Sequence, residues 1–177
     1  MIYTSEHHNY FLITKIRNVK TPSRAHFDDA GIDFYVPSFD EKFIEDFKSK
    51  NNSNYYYFTE NKLIVEPNGK VLIPSGIKVV VPKGYALIAF NKSGIASKKG
   101  LVVGAQVVDS SYRGEVHINL LNVTSESQII EEGQKIVQFI LIPIALIDPI
   151  VIDKDEYEEY FNNTERGEGG FGSTGSK

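Results

Sequence analysis

The chain has 177 residues, of which 41% are hydrophobic, and this length fits one domain with a proper core better than two. Its formal net charge of -4 argues against general nucleic-acid binding, which favours a basic face. Cysteine is absent, so disulfides, thiolate metal sites and cysteine nucleophiles are excluded. The four histidines lack the spacing typical of a zinc site. The first residues lack the basic and apolar regions of a signal peptide, and we expect a cytoplasmic protein.

The first 60 residues predict strands and one helix. Residues 10–19 read as a strand, and residues 30–37 bend at a glycine, present Asp33 and continue as a short strand. Phe43, Ile44 and Phe47 have helical spacing, so we predict a short amphipathic helix over residues 40–50. An aromatic strand is predicted at residues 55–58.

From residue 62 onward, short apolar runs alternate with turns that contain glycine or proline. The predicted strands cover residues 62–66, 69–73, 77–81, 85–90, 101–108, 116–122, 136–142 and 144–152. Many β-branched strands at close turn spacing indicate an all-β protein, and we predict a jelly-roll-like β-barrel. Polar residues and prolines interrupt the last two runs, which indicates a buried strand pair rather than a membrane span.

Residues 103–116 bring several chemically useful side chains close together. A β-branched run reaches Asp109, polar residues turn the chain, and a second apolar run begins at Val116. This pattern predicts a hairpin with Tyr112 and Arg113 beside the acid at its mouth. Taken alone, the stretch fits an ordinary solvated turn as well as a functional site.

Two further polar segments contain glycines. In residues 91–100, backbone amides and the Ser93 hydroxyl would cradle phosphate oxygens with Lys92 as the counter-charge, although the order of residues is not that of a Walker loop. In the tail, residues 164–175, an arginine, a phenylalanine and a Ser-Thr pair lie between glycines. This tail is either a flexible terminus without a function or a mobile arm. As an arm, its backbone amides and arginine would wrap an anion and its phenylalanine would cover an aromatic ring.

Together these segments resemble, in order, the five motifs of the trimeric dUTP diphosphatases (dUTPases). The segments are Ala30-Gly31-Ile32-Asp33, Lys92-Ser93-Gly94-Ile95-Ala96, Val108-Asp109-Ser110-Ser111-Tyr112-Arg113-Gly114-Glu115, Gly133-Gln134-Lys135-Ile136-Val137-Gln138 and Arg166-Gly167-Glu168-Gly169-Gly170-Phe171-Gly172-Ser173-Thr174-Gly175. The last is the most specific, because it matches at every fixed position. The resemblance covers residues 11–175 apart from 38–62, which would be an insertion atypical of the family.

The resemblance implies a jelly-roll homotrimer that hydrolyses dUTP to dUMP and pyrophosphate at sites shared between subunits. Asp109 would be the general base that orients a water for in-line attack on the α-phosphorus. Mg²⁺ would be the cofactor, held by triphosphate oxygens and waters with no direct ligand from the protein. No membrane or nucleic-acid partner is implied.

The resemblance also implies which residues contact the substrate. The Tyr112 ring would lie under the deoxyribose and leave no room for a ribose 2′-hydroxyl. The uracil edge would be read by backbone groups of Gln106, Val107 and Val108. The phosphates would be held by Lys92, Ser93, Gly94 and Gln138. A neighbouring subunit's arm would supply Arg166 to the γ-phosphate, Phe171 as a cap on the uracil, and a cover over the phosphates from Gly172, Ser173 and Thr174.

Some residues depart from the family pattern or have open roles. Lys92 and Lys135 stand where arginine is usual, so we expect phosphate contacts to survive with looser orientation, because lysine is a point charge rather than a bidentate fork. Lys135 and Asp33 are assigned supporting roles; for Asp33 these are hydrogen bonds or metal waters, with a structural turn acid as the alternative. Gln106, Ser111 and Gln134 replace a usual glycine and two usual aspartates.

We expect a domain over residues 1–163 and a flexible arm over 164–177 that closes a neighbouring subunit's site. The insertion, residues 38–62, would pack its aromatic side chains on the barrel or, alternatively, dock another protein.

Two other functions compete with dUTP hydrolysis. One is dCTP deamination on the same fold, which is disfavoured because residues 116–122 contain no acid. The other is a dUTP-gated regulator that binds a protein partner.

Overall fold

The computed structural model describes residues 11–161 and 164–169. Among these residues there are eleven strands, three α-helices and a 3-10 turn at Ser53–Tyr55. The strands are β1 Leu12–Lys15, β2 Ile32–Tyr35, β3 Tyr56–Thr59, β4 Lys62–Val65, β5 Lys70–Val80, β6 Tyr85–Asn91, β7 Leu101–Val103, β8 Val107–Val108, β9 Glu115–Asn122, β10 Gln128–Glu131 and β11 Lys135–Pro143. The helices are α1 Glu41–Lys50, α2 Ser93–Lys99 and α3 Lys154–Phe161. No helix in these ranges is long and apolar enough to cross a membrane.

Three antiparallel sheets order the strands as β1-β5-β9-β7, β2-β11-β6-β8 and β10-β4-β3. This architecture confirms the predicted all-β, jelly-roll-like fold. Successive side chains of a strand point to opposite faces, and β9 shows this alternation clearly. Val116, Ile118 and Leu120 are buried, while the residues between them are partly exposed. The buried faces form one hydrophobic core.

The chain divides into two compact units, the first ending at Ala145 and the second beginning at Leu146. All eleven strands lie in the first unit, and α3 lies in the second. The predicted division into a domain over residues 1–163 and an arm over 164–177 stays a prediction.

The predicted strand over residues 144–152 is wrong. The Ile144 N–H donates to the Gly84 carbonyl at 2.8 Å, and no strand follows β11 in the described part of the chain. The apolar side chains of this segment are exposed rather than buried: Leu146 77%, Ile147 83%, Ile150 85% and Val151 95%. A strand needs a hydrogen-bonding neighbour, and β11 ends where its pairing with β6 ends, at Pro143 opposite Tyr85.

The predicted turn at residues 74–76 is also wrong, because β5 runs through it. The register of β5 against β9 shifts between Pro74 and Lys78, so the irregularity is absorbed within the strand. Side chains satisfy the displaced amides: the Ser75 hydroxyl accepts from Ile77 N at 3.1 Å, and Glu115 Oε1 accepts from Gly76 N at 2.7 Å. A prolyl residue and a glycine with φ of 73° therefore fit inside a strand.

The predicted hairpin around Asp109 differs from the observed topology. The predicted strand over residues 101–108 is split into β7, which pairs with β9, and β8, which pairs with β6 in another sheet. The chain crosses at Gly104 and Ala105, where the Asn119 side-chain oxygen accepts from Ala105 N at 2.9 Å. A Cβ on Gly104 would overlap that same oxygen, so only glycine fits. The strands before and after Asp109 therefore lie in different sheets.

Sequence patterns missed three elements. The strand β10 pairs with β4 and forms one edge of the third sheet. The helix α2 covers the polar segment that was predicted to cradle phosphates, and no helix was predicted where α3 lies. The helix α2 ends at Gly100, whose left-handed conformation (φ 57°) is the usual helix C-cap.

The insertion packs on the barrel, as one of its two alternatives predicts. Its helix α1 starts at Asp40, whose carboxylate accepts from Phe43 N at 2.8 Å. Five aromatic rings contact one another with centroids 4.7–5.9 Å apart, and these belong to Phe39, Phe43, Phe47, Tyr56 and Phe58. The Asn51 side chain also bonds both backbone groups of Leu72 in β5, at 2.7 and 3.0 Å. Docking of a partner protein on this insertion stays a prediction.

Replacing Phe47, which is fully buried and contacts three of these rings, should weaken the fold strongly. We expect Phe47→Ala to lower the free energy of unfolding by about 3–5 kcal/mol, because the lost ring leaves a cavity in the cluster. Urea unfolding at fixed protein concentration measures this change. Tyr57→Ala, at a half-exposed neighbouring ring, is the control and should cost about 1 kcal/mol or less. Equal costs for the two variants would contradict the packing described here.

Candidate active site

The carboxylate of Asp109 lies at the end of an edge strand. It directly follows β8, the last strand of its sheet, and its side chain is exposed. The Asp109 carbonyl accepts from Tyr112 N at 3.1 Å, which closes a tight turn. Among the described residues, no ion pair involves Asp109. This carboxylate is therefore open to solvent and to a ligand.

The Tyr112 ring is fixed on the same turn. Its hydroxyl donates to the Glu115 carbonyl at 2.8 Å, and the side chain is 41% exposed. A Cβ on Gly114 would overlap the Tyr112 hydroxyl, so the glycine is needed for the ring to lie there. The chain thus supports the ring at its hydroxyl end, while the residue stays open to solvent.

The residues predicted to read a base lie along β8 and just before it. Val107 and Val108 pair with Ile88 and Leu87 of β6, and the Gln106 carbonyl accepts from Ala89 N at 2.9 Å. Because β8 is the outer strand of its sheet, the opposite side of its backbone has no strand neighbour among the described residues. Val107 is 62% exposed on this edge.

The residues predicted to hold phosphates begin the helix α2. Lys92 occupies the N-cap, and Ser93 and Gly94 form the exposed first turn. The first amides of a helix have no partner within it, so those of Ser93 and Gly94 can bond an acceptor from outside. The polar segment predicted to cradle phosphates is therefore a helix that begins with exposed residues.

Asp33 brings three of the predicted site residues together. Its carboxylate, on β2 and only 5% exposed, is paired with the Lys92 ammonium and lies 2.8 Å from the Lys135 ammonium. Burial pushes the pKa of Asp33 upward, but hydrogen bonds and charges from Lys135 and Lys92 outweigh it, and the pKa is lowered. The Asp33 hydrogen bond and charge in turn raise the pKa of Lys135. One buried anion therefore holds two cations at the start of α2 and β11.

Gln138 is held beside this cluster. It pairs with Asp33 across β11 and β2, and its amide nitrogen donates to the Asn91 carbonyl at 2.9 Å. A Cβ on Gly31 would overlap the Gln138 side-chain oxygen, which explains the glycine in the first motif. The first, second and fourth motifs therefore meet at one place in the barrel.

Of the predicted residues of the tail, the structure describes Arg166. Arg166 belongs to the second unit, is exposed, and its Nε donates to the Gly169 carbonyl at 2.7 Å. The other predicted residues of the arm lie outside the described residues: Phe171, Gly172, Ser173 and Thr174.

Sequence reasoning missed residues that position the site. The Asn91 carbonyl accepts a hydrogen bond from the Gln138 side-chain nitrogen. The Asn91 side-chain oxygen accepts one from Val103 N at 2.7 Å. Asn119 holds the crossing between β7 and β8 through its side-chain oxygen. Asparagine in a strand is a weak signal, because only the three-dimensional pairing shows which backbone groups it satisfies.

The donors around Asp109 do not form a metal cage. Among the described residues, three metal-type ligands come together only at Asp46, Glu115 and His117. Arg17 already bonds both of those carboxylates. Asp33 is engaged by two lysines. That Mg²⁺ is held by a triphosphate and waters, with no direct ligand from the protein, stays a prediction.

The fold and the motif order define a class of β-barrel nucleotidohydrolases, and comparison with known proteins gives the family. A family model described as dUTPase matches residues 47–175, which excludes the first motif. The chain is 34% identical over 123 residues to the deoxyuridine 5'-triphosphate nucleotidohydrolase of Hydrogenobaculum sp. (strain Y04AAS1), covering 68% of this chain and 81% of that relative. It is 40% identical over 120 residues to the protein of the same name from Chlamydia caviae, covering 67% and 80%. The chain belongs to the dUTPase family.

Solved structures with this fold include phage dUTPases. The Staphylococcus bacteriophage 80alpha dUTPase with dUPNHPP has a TM-score of 0.71 and 25% identity to this chain, covering 94% of this chain and 99% of that one. A mutant dUTPase from phage phi11 of S. aureus, in which coordination of a structural Mg(II) ion was described, has a TM-score of 0.65 at 21% identity, covering 82% and 98%. The protein is accordingly a dUTP-hydrolysing enzyme by family.

The ion pairs of Asp33 predict an acid-dependent loss of stability. A carboxylate with a lowered folded-state pKa stabilises the fold above its unfolded pKa, about 3.9, and loses this contribution as the pH falls through the folded-state pKa. We expect Asp33→Asn to lower the free energy of unfolding at pH 7 by about 1–3 kcal/mol, because two lysines lose their buried counter-charge. The difference from the wild type should shrink below about pH 4.

Chemical unfolding of the nucleotide-free protein between pH 7 and pH 3 measures this dependence. Asp28→Asn, at an exposed carboxylate, is the matched control. An Asp33→Asn deficit that stayed constant over the whole range would contradict the proposed ion-pair contribution.

Proposed function

We propose that the protein hydrolyses dUTP to dUMP and pyrophosphate, with Asp109 as the general base. The carboxylate takes a proton from a water, the water oxygen bonds to the α-phosphorus, and the bond to the bridging oxygen of the β-phosphate breaks. The observation that carries this proposal is the turn that presents an exposed Asp109 beside the supported Tyr112 ring, within a dUTPase-family barrel. Mg²⁺, when bound with the triphosphate, supplies charge neutralisation for the developing pyrophosphate.

The substrate is oriented by three groups of residues in this proposal. Tyr112 lies under the deoxyribose and excludes a ribose 2′-hydroxyl. The free edge of β8, from Gln106 to Val108, offers backbone donors and acceptors to the uracil. The first turn of α2 and Lys92 bind phosphates, together with Gln138, since exposed amides and an ammonium suit an anion. Lys135 supports Lys92 through the shared Asp33.

Trimer formation with shared sites is part of the proposal. The segment after β11 exposes Leu146, Ile147, Ile150 and Val151, an amount of apolar surface that calls for a protein neighbour. In the trimer, the arm of a neighbouring subunit brings Arg166 to the γ-phosphate and Phe171 to the uracil. Binding the triphosphate between subunits excludes bulk water from the phosphates and leaves the attacking water that Asp109 orients.

Deamination of dCTP is not favoured by the site. Glu115 begins the strand that would carry a catalytic acid, but its carboxylate bonds Arg17 and Gly76 N rather than facing solvent. The remaining residues of β9 contain no acid. A role limited to regulation is also not favoured, because the exposed Asp109 that hydrolysis needs is present.

The proposal is tested by pyrophosphate release from dUTP, dTTP, dCTP and UTP, with and without Mg²⁺. We expect the wild type to prefer dUTP and to require Mg²⁺. Asp109→Asn should hydrolyse dUTP at least ~100-fold more slowly while still binding it, because it loses the positioned base and keeps the contacts to base, sugar and phosphates. Nucleotide affinity is followed by calorimetry with a non-hydrolysable dUTP analogue.

Glu126→Gln, at an exposed carboxylate outside the site, serves as the control and should keep wild-type turnover. Ammonia release from dCTP would support deamination instead. Wild-type rates in Asp109→Asn would refute its role as the base.

A chain that ends at Glu165 tests the arm. It should remain a folded trimer by light scattering, because the whole barrel is retained, and should lose at least about tenfold in kcat/KM for dUTP. Arg166→Ala in the full-length chain is the matched variant, and it should lose part of this activity. Unchanged turnover of the shortened chain would exclude the arm from catalysis.

A further inference from the structure

The position of the Tyr112 ring depends on the backbone of Glu115. The Tyr112 hydroxyl donates to the Glu115 carbonyl at 2.8 Å, and His117 Nδ1 lies 2.8 Å from the same oxygen. A carbonyl only accepts, so Nδ1 carries the hydrogen and also donates to it. Because Gly114 also lies against the hydroxyl end of the ring, a shift of Glu115 would move the surface on which a sugar would rest.

The side chain of Glu115 is in turn held on three sides. It is 9% exposed, and Oε1 accepts from Arg17 Nε at 2.8 Å and from Gly76 N at 2.7 Å. Oε2 accepts from Arg17 Nη2 at 2.9 Å. Two parallel bonds from a guanidinium to a carboxylate fix both direction and distance, and they are among the strongest hydrogen bonds in proteins.

Arg17 connects this arrangement to the insertion. Its side chain is 6% exposed, and the same Nη2 that bonds Glu115 is also paired with Asp46 on α1. Asp46 is further paired with Lys50 one helical turn away. The hydrogen bond from Lys50, with the positive charge of Arg17, lowers the pKa of Asp46 against a smaller effect of burial. The Asp46 carboxylate is therefore charged at neutral pH.

The insertion can act as a rigid support for this chain of contacts. Its helix α1 is anchored by the buried rings of Phe43 and Phe47 and by the Asn51 bonds to β5. Asp46, Glu115 and His117 also present metal-type donors within 4.8 Å of one another, but both carboxylates are already paired with Arg17, and Asp46 also with Lys50. The cluster is consequently an ion-pair network that runs from the insertion to Glu115, next to the turn that carries Asp109 and Tyr112.

We propose that Asp46 is a positioning residue for the sugar-binding surface: through Arg17 and Glu115 it fixes the Tyr112 ring and sharpens discrimination against ribonucleotides. Without the Asp46 charge, the buried Arg17 Nη2 keeps only one charged acceptor, Glu115, so the guanidinium that holds Glu115 is itself held less firmly. The inference rests on the proposed function for its meaning in catalysis. It assigns a role in substrate choice to a segment outside the five motifs.

The kinetic test compares Asp46→Asn with Glu45→Gln, which removes the charge of an exposed neighbour on the same helix. The readout is the ratio of kcat/KM for dUTP to that for UTP. We expect Asp46→Asn to lower this ratio about threefold to tenfold, the range for residues coupled through a network. Asp46→Glu, which keeps the charge, should restore most of the ratio, and Glu45→Gln should leave it unchanged.

A double variant tests whether the effect passes through Tyr112. Tyr112→Phe removes the hydroxyl that bonds Glu115, so adding Asp46→Asn to it should change the ratio no further. Independent, additive effects of the two substitutions would overturn the inference. So would an unchanged ratio in Asp46→Asn under conditions in which Tyr112→Ala changes it.

Hydrogen exchange separates this inference from the proposed function, because it needs no turnover. In the nucleotide-free protein, amides of residues 110–116 should exchange faster in Asp46→Asn than in the wild type or Glu45→Gln. Equal exchange in all three proteins would overturn the network. Faster exchange in Asp46→Asn would support the network even if the wild type released no pyrophosphate from dUTP. The missing pyrophosphate release would refute the proposed function alone.

Discussion

The transfer of the chain from one sheet to another after β7 determines the geometry of the candidate site. The Gly104 N–H donates to the Asn119 carbonyl at 3.0 Å and the Ala105 N–H donates to its side chain, so one asparagine of β9 holds both ends of the step. The strand that follows, β8, then pairs with β6 in the second sheet. The turn that carries Asp109 and Tyr112 is therefore fixed by two sheets, which limits its movement more than a simple hairpin would.

Electrostatics at the start of α2 depend on one buried acid. Asp33 pairs with Lys92 and Lys135, so two cations share one anion and a net positive charge remains near the start of α2. That balance suits a triphosphate better than a neutral cluster would. Each lysine provides a point charge, so their orientation comes from Asp33 rather than from the forked geometry of arginine.

Sequence patterns predicted the parts of this protein that depend on local chemistry. Alternating strands, the helix of the insertion and the turn at Asp109 follow from hydrophobic period and turn residues. The split at Gly104 and the continuous β5 could not be predicted, because they depend on side chains from distant strands that satisfy backbone amides. The lysine pairs of Asp33 join residues of three motifs, and only the folded barrel shows that they meet. The segment after β11 was predicted as a buried strand but is exposed. Its apolar composition indicates burial, but it does not indicate which chain provides the surface that buries it.

That exposed segment links assembly to solubility. In the proposed trimer, a protomer that separates from its neighbours returns a strip of leucine, isoleucine and valine side chains to water. An exposed apolar surface of this kind is an aggregation hazard on a lone chain. Dilution of the proposed trimer would therefore expose this apolar surface and separate the shared sites at the same time.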